Sequence, residues 1–285
     1  MKNKINILIS LCMGFLVSAI ASPVMSEETE WHSHGKEAAS RLISAVNGTP
    51  RGDSVLLGIE LRVQPKWKTY WRSPGEAGLP PTVTLMDGST DGVRMEYPMP
   101  TRFELFDLQT YGYEDQVIFP VYIDRRHFED NRIRLKVGFM VCSDICIPYN
   151  VDHEIDLGDG DERPAPQKIA LDLALNQVPL REGNTAGDLQ ILATSIQGSK
   201  GYERLLVQVQ AGSDLTGADV LPESELPVKF GKPMIREGQD SNTKWFAFPV
   251  MLGSRKVSLR GDRVCLTFSD GQGNAIEREF DIPAT

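Results

Sequence analysis

The sequence predicts an all-β protein built from two strand-rich units in tandem, each a sandwich or barrel, and three observations carry that prediction. Apolar residues alternate with polar ones at a period of two in several short runs. Pro, Gly and Asp break those runs at short intervals, as in Ser73-Pro74-Gly75 and Asp87-Gly88. A stretch reading Gly-Asp-Gly-Asp-Glu-Arg, then Pro-Ala-Pro, starts at Gly158 and separates one strand-rich block from the next.

In chain order, Met-Lys-Asn-Lys precedes an apolar run from Ile5 to Ala21, which is the layout of a secretory signal peptide with Lys2 and Lys4 as its charged start. Ala19-Ile20-Ala21 and Val24-Met25-Ser26 both suit cleavage, so residues 1–26 are assigned to the signal. An uncleaved anchor is the weaker reading, because the run is marginal for the roughly 20 residues a span requires. Lipid attachment at Cys12 is disfavoured by the large Leu11 before it. Trp31-His32-Ser33-His34 comes next; two imidazoles without a third ligand make a weak metal site, and the segment reads as a flexible terminus.

The first unit, residues 30–160, holds the clearest strands. Val55, Leu57, Ile59, Leu61 and Val63 alternate with Gly58, Glu60 and Arg62, and Ile133 to Val141 repeats the pattern against Arg132, Arg134 and Lys136, whose charges form the solvated face. Lys68–Arg72, Thr82–Met86, Val117–Ile123 and Val151–Leu157 are further strands. Residues 161–185 read as a linker with a short helix over Gln167–Asn176. The second unit, 186–285, shows alternation at Leu205, Val207 and Val209, again at Val264, Leu266 and Phe268, and ends in a strand near Ile276–Ile282.

The formal net charge is −9, and loss of Lys2 and Lys4 takes it to −11. An acidic chain without a basic cluster argues against nucleic acid as a partner. No glycine-rich phosphate loop, nucleophile elbow or zinc-finger spacing is present, and no cofactor is expected. An exported chain meets an oxidising compartment, and there the mature protein holds three cysteines: Cys142, Cys146 and Cys265.

Cys142 follows the strand ending at Val141, on the other side of its pleat, and Cys146-Ile147-Pro148 comes four residues later. Fully extended, that spacing separates the two Cα atoms by about 13 Å, too far for a disulfide, so the segment turns if the pair closes. Ser143 and Asp144 favour a turn, and Pro148 restricts its exit. A loop this small gains little chain entropy from a cross-link, which suits exchange chemistry better than stapling. On spacing alone, a redox pair and a structural disulfide stand level.

Three stretches shift that balance: Trp67-Lys-Thr-Tyr70-Trp71-Arg72-Ser-Pro74-Gly75-Glu-Ala-Gly78-Leu79-Pro80, Tyr111-Gly112-Tyr113-Glu114, and Val141-Cys142-Ser-Asp-Ile-Cys146-Ile-Pro148. In this order they resemble the N-terminal periplasmic region of the thiol-disulfide interchange family, which includes the membrane disulfide reductase DsbD and copper-sensitivity suppressor proteins of the ScsB type. The likeness covers roughly residues 55–155, and 186–285 resembles the second immunoglobulin-like unit of the suppressor type. It implies two immunoglobulin-like β-sandwich domains, a periplasmic location, and a reversible Cys142–Cys146 disulfide that carries electrons as a component of protein-disulfide reduction. It further implies thioredoxin-like or other disulfide-bearing periplasmic partners and an aromatic shield over the disulfide, for which Tyr70, Trp71, Tyr111 and Tyr113 stand at the motif positions. In the reductase branch the second cysteine faces the partner, which favours Cys146. Family members continue into membrane helices and a thioredoxin-like domain that are not found in these 285 residues, so the expected electron donor is a separate membrane polypeptide.

Asp144 reads as a turn residue before it reads as a charge that raises a neighbouring thiol. Cys265 lies opposite Val264, Leu266 and Phe268 in its strand and reads as a small apolar residue before a reactive one. The rival functions are metal tolerance, with Cu(I) on the thiolates helped by Met140, His32 or His34, and a non-catalytic adaptor that docks another envelope protein and whose disulfide is only a structural clip.

Overall fold

The structure, a computed structural model, describes residues 29–284 apart from 129, 182–187, 239, 241 and 253–256. The predicted signal peptide lies outside the described residues. The chain forms two immunoglobulin-like β-sandwiches in tandem. No helix among the described residues is long and apolar enough to cross a membrane.

The first sandwich takes its strands from β1 (His32–His34), β2 (Ala38–Ser44), β3 (Val46–Asn47), β4 (Ser54–Val63), β5 (Lys68–Gly75), β6 (Thr82–Leu85), β7 (Val93–Met95), β8 (Thr101–Leu105), β9 (Leu108–Tyr113), β10 (Gln116–Asp124), β11 (Arg132–Cys142), β12 (Cys146–Asp156) and β13 (Arg163–Pro164). One sheet has the order β1-β2-β4-β10-β7; the facing sheet has β12-β11-β5-β9-β8, with β6 also paired to β11. The period-two runs supply the core: Leu57, Ile59 and Leu61 from one sheet meet Leu135, Val137 and Val141 from the other, all essentially without exposed surface.

The stretch read as a linker is tied down between residues 163 and 180. β13 pairs with β3, and the helix α1 (Lys168–Asn176) buries Leu171 against Ile43 and Ala45 on the back of the first sheet. Leu180 then bridges to Ile276 at the edge of the second unit.

That unit contains β14 (Gln190–Gln197), β15 (Arg204–Gln210), β16 (Asp219–Glu223), β17 (Val228–Phe230), β18 (Met234–Glu237), β19 (Thr243–Leu252), β20 (Arg263–Ser269) and β21 (Ala275–Asp281). Its sheets run β14-β15-β19-β17, with β18 on β19, and β16-β20-β21. Leu221 of β16 is buried in the first sandwich's core cluster. Around it, Arg72 pairs with Glu223 at 2.5 Å and with Glu277, while Arg102 grips Asp219 through two contacts of 2.8 Å. Burial disfavours the charged Arg72 guanidinium, but the hydrogen bonds and charges of Glu223 and Glu277 outweigh it and raise its pKa.

The segment Trp31–His34, expected to be a loose terminus, is ordered: β1 pairs with β2, placing His32 opposite Ser40 and His34 opposite Ala38. The reason is packing that spacing alone does not show, since His34 is buried against Phe139 and Tyr149 of the opposite sheet.

Candidate functional site

β11 directs Ile133, Leu135, Val137, Phe139 and Val141 into the core, so the next residue, Cys142, falls on the outer face. The chain reverses through Ser143-Asp144-Ile145, where the Ser143 N–H donates to the Ile145 carbonyl at 3.0 Å, and β12 returns with Cys146 directly opposite Cys142. The turn brings the two Cα atoms to 4.1 Å, and the sulfurs are bonded.

The two halves of the disulfide differ in access. Cys142 has no exposed surface, whereas Cys146 is exposed at the tip beside Asp144 and Ile145, the latter 61% exposed. Pro148, also exposed, stands opposite Met140 on β12, an edge strand where a missing N–H is tolerated. Only the Cys146 side is open to an incoming nucleophile.

Lys68 of β5 is the register partner of Cys142 on its other flank, and opposed residues of this kind hold their Cβ atoms about 5 Å apart. Its ammonium pairs with Glu114 and lies 4.9 Å from the ring centre of Phe103. Tyr70, two residues along β5, shares this outer face; its ring centre is 6.3 Å from that of Phe103, and it is fully buried. The cover is the Pro- and Gly-rich segment after β5. Gly78 has φ +101°, and a Cβ there would sit 2.3 Å from the Tyr70 ring, so only glycine lets the segment lie flat on the tyrosine.

Of the four aromatics expected near the disulfide, only Tyr70 shares the face of Cys142. Trp71, Tyr111 and Tyr113 belong to the inner core. Tyr111 accepts a hydrogen bond from Arg102 at 3.1 Å, and Tyr113 donates to the Pro98 carbonyl at 2.8 Å. Burial leads the causes that raise the hydroxyl pKa of each tyrosine, to about 12 for Tyr70. The Tyr-Gly-Tyr motif follows from strand spacing: a Cβ at Gly112 would lie 1.9 Å from the Thr69 carbonyl, so glycine there lets β9 close on β5.

Lys68 and Phe103 escaped the sequence reading. Lys68 lies inside a motif read for its aromatics, and only strand pairing reveals its neighbour; Phe103 comes from a short strand with no sequence signal of its own. Met140 shares the outer face with Cys142, whereas His34 packs on the inner face, so the structure does not bring this methionine to the histidines. Cys265, half-buried on β20, lies near Glu223 and Glu277, and burial followed by those two carboxylates pushes its thiol up to about 12.

A cross-strand disulfide with one sulfur side open at a hairpin tip has the access that thiol-disulfide exchange requires. Residues 41–156 match the family described as thiol:disulfide interchange protein DsbD, N-terminal, and the first sandwich is a domain of that type. Residues 177–285 match a domain of unknown function, DUF8393. The fold is that of the N-terminal periplasmic domain of ScsB from Proteus mirabilis, at a TM-score of 0.74 and 22% identity over 90% of this chain and 98% of that one. A conserved domain protein from Bacillus anthracis aligns over 90% of this chain and 91% of its own, at 6% identity and a TM-score of 0.24 that carries no argument. No curated protein matches the chain.

Proposed function

We propose that the protein is a periplasmic electron-transfer module whose Cys142–Cys146 pair cycles between disulfide and dithiol. The observation that carries this reading is the asymmetry of the pair, with Cys146 exposed at the tip and Cys142 buried behind it.

A partner thiolate attacks Sγ of Cys146; a partner–Cys146 bond forms, the Cys142–Cys146 bond breaks, and Cys142 leaves as a thiolate. The partner's second thiol then attacks its own sulfur in the mixed disulfide and releases the Cys146 thiolate. Two electrons enter this chain, two protons complete its dithiol, and the partner becomes a disulfide. Run in reverse, the Cys146 thiolate reduces a partner disulfide. The matching family supports thioredoxin-like or other disulfide-bearing exported partners. The periplasmic origin of the similar ScsB domain supports the location.

Trapping tests the proposal. Cys142→Ser leaves Cys146 without its resolving thiol, so the variant accumulates a mixed disulfide with an exported protein, visible on non-reducing gels and abolished by a further Cys146→Ser. The reduction potential of the wild-type pair is expected in the exchange range of about −120 to −270 mV rather than below about −300 mV. A bond that resists dithiothreitol in the folded protein, with no partner captured, refutes the proposal.

A second reading, metal tolerance through Cu(I) on the reduced pair, draws on Met140 sharing the face of Cys142. Stoichiometric Cu(I) uptake lost on Cys142→Ser supports it, and unchanged Cu(I) affinity removes it.

A further inference from the structure

Toward the far end of β12, His153 meets His32 and His34, which lie more than a hundred residues earlier in the chain. The Ser40 hydroxyl bridges His34 Nε2 and His153 Nε2, at 2.8 Å each. His153 is 2% exposed, and its other ring nitrogen, Nδ1, is buried with no hydrogen-bond partner. The ring of exposed His32 lies over it, centre to centre 4.8 Å and tilted by 48°.

A buried imidazole nitrogen with nothing to bond is costly, on the order of 1–3 kcal/mol, and calls for an explanation. A lone hydroxyl between two imidazoles leaves two tautomer arrangements. Ser40 donates to one ring and accepts from the other. When His153 Nε2–H donates to Ser40 and Ser40 donates to His34, Nδ1 of His153 is a bare lone pair directed away from the serine. That is the state of a metal-ligating histidine, whose second nitrogen donates to an oxygen that fixes the ring. His32 supplies a second imidazole and, being exposed, an entry path.

We propose that His32 and His153 form a binding site for a borderline divalent transition cation, Cu²⁺ most tightly, with Ser40 and His34 orienting the buried ring. Two imidazoles with water in the remaining positions suit Cu²⁺, Ni²⁺ and Zn²⁺, and copper stands at the head of the affinity order. The site is separate from the dithiol: His153 is seven residues from Cys146 along one strand, about 23 Å at 3.3 Å per residue.

Isothermal titration with CuCl₂ tests the proposal on the full chain in its disulfide form, in a Cys265→Ser background so that the free thiol does not reduce the metal. One equivalent of Cu²⁺ is expected to bind below 100 µM, with nitrogen couplings from two imidazoles in the electron paramagnetic resonance spectrum. His32→Gln and His153→Gln should each weaken binding tenfold or more, and Ser40→Ala about tenfold through loss of the orienting bond. Cys142→Ser/Cys146→Ser should bind as the parent does, which separates this site from the redox proposal. Because His32 is exposed, its variant keeps the fold and decides the matter if His153→Gln does not fold. Absence of uptake below 100 µM Cu²⁺ overturns the proposal, as does affinity in His32→Gln within twofold of the parent.

Discussion

The protein keeps its thiols in two opposite environments. At the tip of the first sandwich, Cys142 and Cys146 face each other across a hairpin, with the cation Lys68 on the neighbouring strand and one sulfur side open. At the join between the sandwiches, Cys265 sits on β20 with Glu223 and Glu277, which its thiol approaches within 4.8 Å. Those three groups could in principle hold a metal, but both carboxylates are already bound to Arg72. The cluster is an ionic tether between domains, and the thiol beside it is held protonated. What separates the two thiol environments is which charges and how much water the fold puts around them.

The widest gap should appear in alkylation. With its pKa pushed from 9.0 to about 12, Cys265 has roughly a thousandth of the thiolate of an unperturbed thiol at pH 8. Iodoacetamide labelling of the reduced protein, read by mass spectrometry, should therefore mark Cys146 rapidly and Cys265 about three orders of magnitude more slowly than a free cysteine. Because the folded pKa is raised, the rate at Cys265 should climb about tenfold per pH unit from 8 to 11 without a plateau. A plateau below pH 10 would erase the contrast.

Next in size is Arg72→Met. It leaves Glu223 without its cation and Glu277 with Arg181 alone, in a part-buried interface where breaking such a pair costs about 3 kcal/mol. Urea unfolding should shift to a lower midpoint, while dithiol exchange at the hairpin tip of the folded protein stays unchanged. If exchange falls with it, the two regions are not independent.

Much of this contrast was legible in the sequence, and the illegible part has a common cause. The strands around Val55–Val63 and Ile133–Val141 declare themselves because a two-sided strand writes its burial at a period of two, and the same alternation puts Cys142 on the outer face. Ser143, Asp144 and Pro148 mark the turn that closes the pair. What stays hidden is whatever depends on strand order. Nothing near Lys68 in the sequence announces Cys142, since β5 and β11 meet only in the sheet. Trp31–His34 reads as a loose end until His153, from β12, gives it something to pack on. Tyr111 and Tyr113 match the motif as well as Tyr70 does, yet only the pleat tells which aromatic shares the face of the disulfide. The helix over Lys168–Asn176 is foreseen as local structure, but its seat on Ile43 and Ala45 is a tertiary fact.

The smallest expected effect probes the cation at the working site. When an incoming thiolate takes Cys146, negative charge builds on the departing Cys142 sulfur, which is buried and reached by little water. Lys68 is the register partner of Cys142, and a part-screened cation within reach of the sulfur is worth about 1 kcal/mol, roughly a fivefold change in rate. Glu114 competes for the same ammonium, and being more exposed it does so less effectively than a buried carboxylate would. Lys68→Met, which keeps the packing against Phe103, should therefore slow reduction by dithiothreitol about fivefold, and Glu114→Gln should speed it slightly by releasing the ammonium toward the sulfur. The two effects should shrink together as salt is raised, since both act through charge. Equal rates for wild type and Lys68→Met, at unchanged stability, would mean the lysine serves only Glu114 and Phe103, and that access rather than charge distinguishes the hairpin pair from Cys265.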